Sequence, residues 1–303
     1  MLYIVQTALE LGFQYALVAM ALFLSYRVLD IADLTTDGCF VLGGAVSVTV
    51  TLAGHPLLAI PAAMLAGACA GAVTAFLQTR LGVPSILAGI VTNTGLYTVN
   101  LMVMGWKSNA ALLREDTIFT LFRETGIGGS SYELLLSAAV TILAGVLLVA
   151  FLGTRLGLSI RATGDNPDMV RASSIDPTLT ITVGLCVSNA LTALSGAVVG
   201  QAQKTVDVNS GTGIVVIGLA CLIIGETVLG RRTIVKGAIA VVVGSVIYRF
   251  IYAVVLYTKV VPVDCLKLLT AIVVGAAIAA PSIREWASFQ RRKQAARTGK
   301  GGK

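Results

Sequence analysis

Apolar stretches of about twenty residues recur from one end of the chain to the other, and no other feature constrains its fold as strongly. Each stretch is long enough to cross a hydrocarbon layer of about 30 Å as a helix. Only 12% of the 303 residues are charged, whereas a soluble domain carries about 25%. Strands of a membrane barrel would be about ten residues long and would alternate in polarity, so they are excluded. The sequence therefore predicts an all-α polytopic membrane protein.

The apolar stretches predict about nine or ten transmembrane helices. The nine clearest spans cover residues 6–26, 34–54, 57–79, 84–105, 133–153, 178–200, 213–230, 237–257 and 264–281. A further segment, residues 110–124, mixes apolar and charged residues and is too polar to span. We expect it to form an amphipathic helix at the membrane interface or on the protein. The chain is thus predicted to contain a transmembrane domain, residues 1–283, and a basic, disordered cytoplasmic tail, residues 284–303.

Lysine and arginine residues predict the orientation of the spans, because cytoplasmic loops are enriched in both. With the tail in the cytoplasm, 15 of the 22 basic residues fall on the cytoplasmic side or in the tail. This orientation places the N-terminus outside if there are nine spans and inside if there are ten. The positive charge is thereby explained by topology, and we expect no nucleic-acid partner.

The chain lacks the residues that several other functions need. It contains no G-x-x-x-x-G-K-[ST] phosphate loop, so ATP-driven transport would require a separate ATPase chain. His55 is the only histidine, and no cysteine pair has C-x-x-C spacing, which leaves little for a metal site or a histidine-based catalytic set. We therefore expect a transport subunit that is not an enzyme and binds no metal or cofactor.

The longest predicted cytoplasmic loop, residues 157–176, contains the signals of a short helix. Asn166 or Asp165 can cap the helix, Pro167 suits its first position, and Asp168 is favoured in the first turn by the helix dipole. We expect the helix to cover about residues 167–174. A rigid polar helix between two spans suits a mechanical contact with a cytoplasmic partner, although an ordinary capped loop helix would carry the same signals.

Three stretches of the chain, in order, carry a resemblance to a known family. They are Asp33-Leu-Thr-Thr-Asp-Gly-Cys-Phe-Val-Leu-Gly-Gly-Ala, Arg161-Ala-Thr-Gly-Asp-Asn-Pro followed by Met169-Val-Arg-Ala, and Gly218-Leu-Ala-Cys-Leu-Ile-Ile-Gly-Glu-Thr-Val-Leu-Gly. Together they resemble the branched-chain amino acid/simple sugar permease family of bacterial ABC importers. The third stretch, with Gly244-Ser-Val-Ile-Tyr-Arg, looks most like the subgroup paired with tryptophan/tyrosine-type binding proteins.

The resemblance implies a multi-pass protein of the bacterial inner membrane that works with several partners. These are cytoplasmic ATPase subunits that bind ATP and Mg, an extracytoplasmic substrate-binding protein, and a second permease chain, most simply an identical one. The resemblance assigns the ATPase contact to a coupling helix made of Asn166, Pro167, Asp168, Met169, Val170, Arg171 and Ala172. The outer loop 106–132 carries both signs of charge and is expected to help dock the binding protein.

Polar residues inside apolar spans are costly unless they face water or a neighbouring helix. The residues that satisfy this description, and are candidates for lining a translocation path, are Thr36, Asp37, Asn93, Tyr97, Asn100, Asn189 and Thr192. Three of them, Asn93, Tyr97 and Asn100, share one face at helical spacing. The sequence leaves open whether each residue lines a wet path or bonds a neighbouring helix.

The favoured function is translocation of an amino acid-like solute by an ATP-driven importer, with sugars or nucleosides as alternative substrates. An ion-driven secondary transporter would need carboxylates near mid-membrane in broken helices. Asp37 and Glu226 are the only candidates, and both are predicted near span ends. Glu226 is expected to pair with Arg231 or Arg232, and the alternative is that it faces the ATPase. An intramembrane enzyme would need a polar catalytic set at one depth, and none is visible.

A further charged cluster is predicted near the outer surface. Arg249 and Lys267 are expected to pair there with Asp264.

Overall fold

The computed structural model describes residues 2–112, 115–124, 126, 131–230 and 233–258, together with residues 268, 271, 272, 275 and 279. The helices are α1 (Leu2–Leu22, continued by a π-helix over Phe23–Val28), α2 (Thr36–Leu52), α3 (Pro56–Thr79), α4 (Ser85–Val103), α5 (Ile118–Glu124), α6 (Tyr132–Gly153), α7 (Arg155–Asp165), α8 (Pro167–Ala172), α9 (Pro177–Gln203), α10 (Ile214–Leu229) and α11 (Ile234–Thr258). Two short strands, β1 (Asn109–Ala111) and β2 (Thr205–Asp207), pair antiparallel. Met1–Ala253 form one compact unit, and Val254–Lys303 are assigned to a second.

The predicted spans are helices wherever the structure describes them. Within the described residues, six helices are long and apolar enough to cross a membrane, namely α1, α3, α4, α6, α9 and α11. Two more, α2 and α10, are apolar but shorter. Eight of the nine predicted spans therefore coincide with helices, and the all-α membrane fold is confirmed. Of the ninth span, 264–281, the structure describes only residues 268, 271, 272, 275 and 279, all of them helical, and the basic tail, 284–303, lies outside the described residues.

Helix α9 lies at the centre of the bundle and packs against α1, α2 and α3. Glycines allow the closest of these contacts. A Cβ atom at Gly43 of α2 would overlap the backbone of Ala193, and one at Gly196 of α9 would overlap the carbonyl oxygen of Phe40. The two helices can approach this closely only because neither glycine has a side chain. By contrast, α6 exposes large apolar side chains, which suits contact with lipid.

Helix α2 begins halfway along its neighbours rather than level with their ends. The Sγ atom of Cys39, in its first turn, lies 3.2 Å from the carbonyl oxygen of Asn189 and 4.0 Å from that of Gly67. These two residues lie near the middle of α9 and of α3. The predicted span 34–54 is therefore a helix, but at 17 residues it is shorter than predicted, and its polar start lies beside the middle of its neighbours. The polar start of α2 lies at mid-depth, where other buried groups satisfy it.

Helix α10 also begins at mid-depth, beside the start of α2. The carboxylate of Asp37 accepts hydrogen bonds from the backbone N–H groups of Gly213 (3.0 Å) and Val215 (2.9 Å). The chain must therefore return from the end of α9 to the middle of the bundle within residues 204–213. It does so through β2 and through Gly213, whose φ of 86° favours glycine. The predicted span 213–230 is a helix, but like α2 it starts inside the bundle.

The outer loop differs from its prediction in its first half. Residues Asn109–Ala111 form a strand rather than helix, because Thr205–Asp207 supplies the pairing partner from a distant part of the chain. The second half contains α5, with Phe119 buried. Arg114 lies outside the described residues. The loop 106–132 is thus attached to the rest of the protein through β1 and through α5.

Candidate functional site

A polar cavity of about 280 Å³ opens beside the first turns of α2. Its walls come from α2, from one face of α4 and from the loop between β2 and α10. The residues that line it are Asp37, Gly38, Val41, Asn93, Thr94, Tyr97, Asn100, Val208, Asn209, Gly211 and Thr212. Four of the seven predicted path residues meet there. We refer to this space as the polar cavity.

Asp37 holds the most unusual position in the polar cavity. It lies in the first turn of α2, and its carboxylate also accepts both N–H hydrogen bonds from the first turn of α10. The N-termini of two helices therefore converge on one carboxylate. The positive ends of both helix dipoles favour the negative charge, which offsets part of the cost of placing it at mid-depth. Asp37 lies at the end of its helix, as predicted, but that end is beside the middle of α3 and of α9 rather than level with their ends.

The face of α4 that borders the polar cavity is polar and accessible. Tyr97 is 49% exposed, and Asn93 is partly exposed. Asn100 is buried, and its side-chain N–H donates to the carbonyl oxygen of Gly38 at 3.1 Å. Its Oδ1 has no hydrogen-bond partner among the described residues. Accessible polar groups of this kind at mid-helix are costly against lipid, which favours contact with water, a solute or another protein surface.

The other three predicted path residues lie inside the helix packing, away from the polar cavity. Asn189 is fully buried and donates to the carboxylate of Asp33 at 2.7 Å. The Thr36 hydroxyl donates to the carbonyl oxygen of Asp33, and the Thr192 hydroxyl donates to that of Ser188. The bond from Asn189 ties α9 to the connection between α1 and α2, whereas the bonds of Thr36 and Thr192 are local.

The loop between β2 and α10 supplies cavity residues that the sequence reasoning missed. Val208, Asn209, Gly211 and Thr212 line the polar cavity. The only available signal was a short run of small and polar residues between two apolar stretches. That composition predicts a loop, but the depth to which the loop descends depends on Asp37, which is distant in sequence.

A second feature, at one end of the bundle, is the exposed helix α8. The Oδ1 atom of Asn166 accepts hydrogen bonds from the N–H groups of Asp168 and Met169, both at 3.1 Å, and Pro167 occupies the first turn. The predicted helix and its cap are confirmed, although the helix ends at Ala172 rather than near residue 174. Val170 is buried, while the Met169 side chain is 67% exposed.

Helix α7, which precedes α8, was not predicted. Thr154 caps it by accepting a hydrogen bond from the N–H of Gly157 at 3.2 Å. Gly157, Ile160 and Thr163 are buried at helical spacing, so a weak amphipathic signal was present. The Thr163 hydroxyl lies 2.8 Å from that of Thr180 on α9. This contact joins α7 to the central helix, so α8 projects from an anchored support.

An end cavity of about 320 Å³ lies beside α7. Its charged residues are Arg27, Arg161, Asp165 and Glu226. The Nε atom of Arg27 lies 3.0 Å from Oε1 of Glu226. The predicted ion pair of Glu226 therefore exists, but with Arg27 as its partner. Arg231 and Arg232, the predicted partners, lie outside the described residues.

Arg249 is buried against an aromatic ring. Its guanidinium carbon lies 3.6 Å from the centre of the Tyr15 ring, a cation–π arrangement. Its predicted neighbours Asp264 and Lys267 lie outside the described residues. The stacking on Tyr15 was not predicted, because the two residues lie at opposite ends of the sequence.

Comparison with known proteins shows the family to which the chain belongs. Residues 4–282 match the family described as the branched-chain amino acid transport system / permease component. The chain is 34% identical over 265 residues to the "Tyrosine transport system permease protein" of Clostridioides difficile (strain R20291), which covers 87% of this chain and 86% of that protein. It is 30% identical over 273 residues to an uncharacterized protein of Rickettsia prowazekii (strain Madrid E), covering 88% of this chain and 94% of the relative. No solved structure is significantly similar. The chain belongs to the branched-chain amino acid transport system permease family, whose members are transport subunits of the membrane rather than enzymes.

Proposed function

We propose that this chain is the membrane-spanning subunit of an ATP-driven importer in the bacterial inner membrane. A separate ATPase chain hydrolyses ATP with Mg, and an extracytoplasmic binding protein delivers an amino acid-like solute. A second copy of the permease completes the translocation path. The family and the name of the Clostridioides difficile relative support the amino acid class.

The observation that carries the proposal is the exposure of α8. The helix is capped at Asn166 and anchored by Val170, yet it presents the apolar side chain of Met169 to the surroundings. An exposed apolar side chain on a short, rigid, polar helix is suited to insertion into a pocket of a partner protein. Under the proposed topology this end of the bundle is cytoplasmic, so the partner is the ATPase and α8 is the coupling helix.

The polar cavity supports the other half of the proposal. It lies at mid-depth, and its α4 face is accessible through Tyr97. We propose that Asp37, Asn93, Tyr97 and Asn100 line the path and that a second copy of the chain covers this face. Thr36, Asn189 and Thr192 remain helix-packing residues in this scheme.

One observation favours the alternative of an ion-driven transporter. Asp37 is a carboxylate beside two helices that begin inside the bundle, and helices interrupted within the bundle are a feature of such transporters. The two functions differ in their source of energy, so they can be separated directly.

We expect uptake to follow ATP rather than an ion gradient. Proteoliposomes containing this chain, the ATPase and the binding protein should accumulate radiolabelled tyrosine only when ATP is available to the ATPase, because hydrolysis drives the conformational change. Ionophores that dissipate sodium and proton gradients should leave the rate unchanged within about twofold, and omission of the ATPase should abolish uptake. Accumulation by this chain alone under an imposed gradient, without ATP, would establish the ion-driven alternative instead.

We also expect the outer loop to guide the binding protein. Lys107 and Arg123 are exposed, so the double variant Lys107→Glu, Arg123→Glu reverses charge at the surface. If these residues attract the partner, the binding-protein concentration giving half-maximal ATP hydrolysis should rise about tenfold at low salt and less at high salt. The control is Arg155→Glu, at the opposite end of the helix bundle. It should leave the binding-protein concentration for half-maximal ATP hydrolysis unchanged. If the two variants need the same binding-protein concentration at every salt concentration, the binding protein docks on another part of the permease.

A further inference from the structure

Helix α10 is attached at its two ends to two different functional features. At its N-terminus, Gly213 and Val215 donate to Asp37, which lines the polar cavity. In its last turn, Glu226 pairs with Arg27 at the wall of the end cavity. The helix is about 24 Å long at about 1.5 Å per residue. One rigid element therefore connects the middle of the bundle with the end that carries α8.

The middle of α10 is fixed to α11 by close backbone contacts. A Cβ atom at Gly225 would overlap the carbonyl oxygen of Ala240, and one at Gly244 would overlap that of Cys221. Backbones that touch in this way leave no room for one helix to rotate or slide against the other. Displacement at one end of α10 therefore moves α10 and α11 together, and it reaches the other end of α10 instead of being absorbed at the contact between the two helices.

The end cavity brings α10 close to the support of α8. Arg161 and Asp165 of α7 line the same cavity as Glu226 and Arg27. Asp165 is the last residue of α7, and Asn166 follows it as the cap of α8. A shift of α8 would thus change the charges that face Glu226. Both ends of α10 are held by charge, through Asp37 at one end and Arg27 at the other.

We propose that α10 carries the movement of α7 and α8 to the polar cavity, and that Asp37 is the positioning residue that sets the place of its N-terminus. When α7 and α8 shift, the Glu226 end of α10 moves, and the N-terminal turn changes its position against Asp37. The loop that precedes α10, including Gly211 and Thr212, moves with this turn and reshapes the cavity wall. This inference rests on the proposed function.

A double-mutant cycle in the reconstituted complex tests the inference. The measured quantity is the number of tyrosine molecules transported per ATP hydrolysed. Asp37→Asn and Glu226→Gln should each lower this ratio about tenfold, a typical size for coupling between two sites. In the double variant, the ratio of transport to hydrolysis should be no lower than in the more severely affected single variant, because both changes release the same helix. Arg27→Gln, which removes the ion pair from its other side, should behave as Glu226→Gln does.

The matched control uses another residue of the same cavity. Asn93 lines the polar cavity from α4, so the effects of Asn93→Ala and Glu226→Gln should multiply in the double variant. Multiplying effects for Asp37→Asn with Glu226→Gln would overturn the inference. So would an equal fall in transport and hydrolysis, because a purely structural defect lowers both together. Failure of the unchanged complex to use ATP would instead overturn the proposed function. Thermal unfolding in detergent identifies variants that lose transport by misfolding, and Asp37→Glu, which keeps the charge, should restore the ratio in part.

Discussion

The substitution Gly196→Leu should prevent the chain from folding. Gly196 of α9 faces the carbonyl oxygen of Phe40 on α2 so closely that even a Cβ atom would overlap it. A leucine side chain must push the two helices apart or deform the backbone of one. Overpacking of a core usually costs about 1–3 kcal/mol, and a clash with backbone that cannot rotate away should reach or exceed the upper end. We expect no monodisperse protein in detergent, or a fall in unfolding temperature of more than about 10 °C.

Gly95→Leu provides the matched control for this result. Gly95 is also inside a helix, α4, but a Cβ atom there would meet no atom within 4 Å. The substitution should preserve or raise the unfolding temperature, because glycine is a poor helix former. If both leucine variants fold equally well, the α2–α9 contact is looser than the structure indicates. If both fail, the cause is a general intolerance of leucine for glycine rather than this contact.

If the proposed function is correct, the substitution Met169→Asp should uncouple the permease from the proposed ATPase partner. Met169 is 67% exposed on α8, and buried interface anchors of this kind commonly contribute about 2–4 kcal/mol to binding. A charge buried in the partner pocket would add a desolvation penalty. We expect ATP-driven uptake to fall about 100-fold, as measured in proteoliposomes with a fixed amount of ATPase. The fold should survive, since the Met169 side chain is mostly exposed in the permease.

Leu81→Asp is the control for the coupling helix. Leu81 is 60% exposed in the connection between α3 and α4, which the proposed topology also places in the cytoplasm. Its replacement should change uptake by no more than about twofold.

Cysteines introduced at Asp168 and Met169 should also cross-link to the ATPase. Labelling of either cysteine by an impermeant thiol reagent added outside intact cells would show that α8 faces the wrong side for this role.

Helix positions were predictable because the information that determines them is local. The hydropathy of each apolar stretch reflects its own transfer from water to lipid, so eight predicted spans coincide with helices. The start of α8 was predictable for a similar reason, since Asn166 accepts hydrogen bonds from the N–H groups of Asp168 and Met169, only two and three residues ahead of it. In contrast, the pairing of β1 with β2 joins residues almost a hundred positions apart, and no local pattern reveals it.

Depth within the bundle was not predictable in the same way. The apolar composition of α2 and α10 indicates two spans, but the contacts of Cys39 and Asp37 place their starts at the middle of the bundle. Hydropathy measures only whether a segment prefers lipid or protein to water. It does not distinguish a helix that crosses the full thickness from one that begins halfway and is completed by a returning loop.

The clearest contrast is between Asn93 and Asn189, which are the same residue type, both near the middle of an apolar helix. From the sequence alone both are polar groups that need a partner, and each was an equal candidate for the path. In the folded chain, Asn189 donates to Asp33 and is sealed in the core, while Asn93 lines the polar cavity. The sequence determined that a polar amide lies at each position. The tertiary structure decided which amide N–H group met a distant acceptor, because the cost of burying an amide is offset only where a distant segment brings a hydrogen-bonding partner to it.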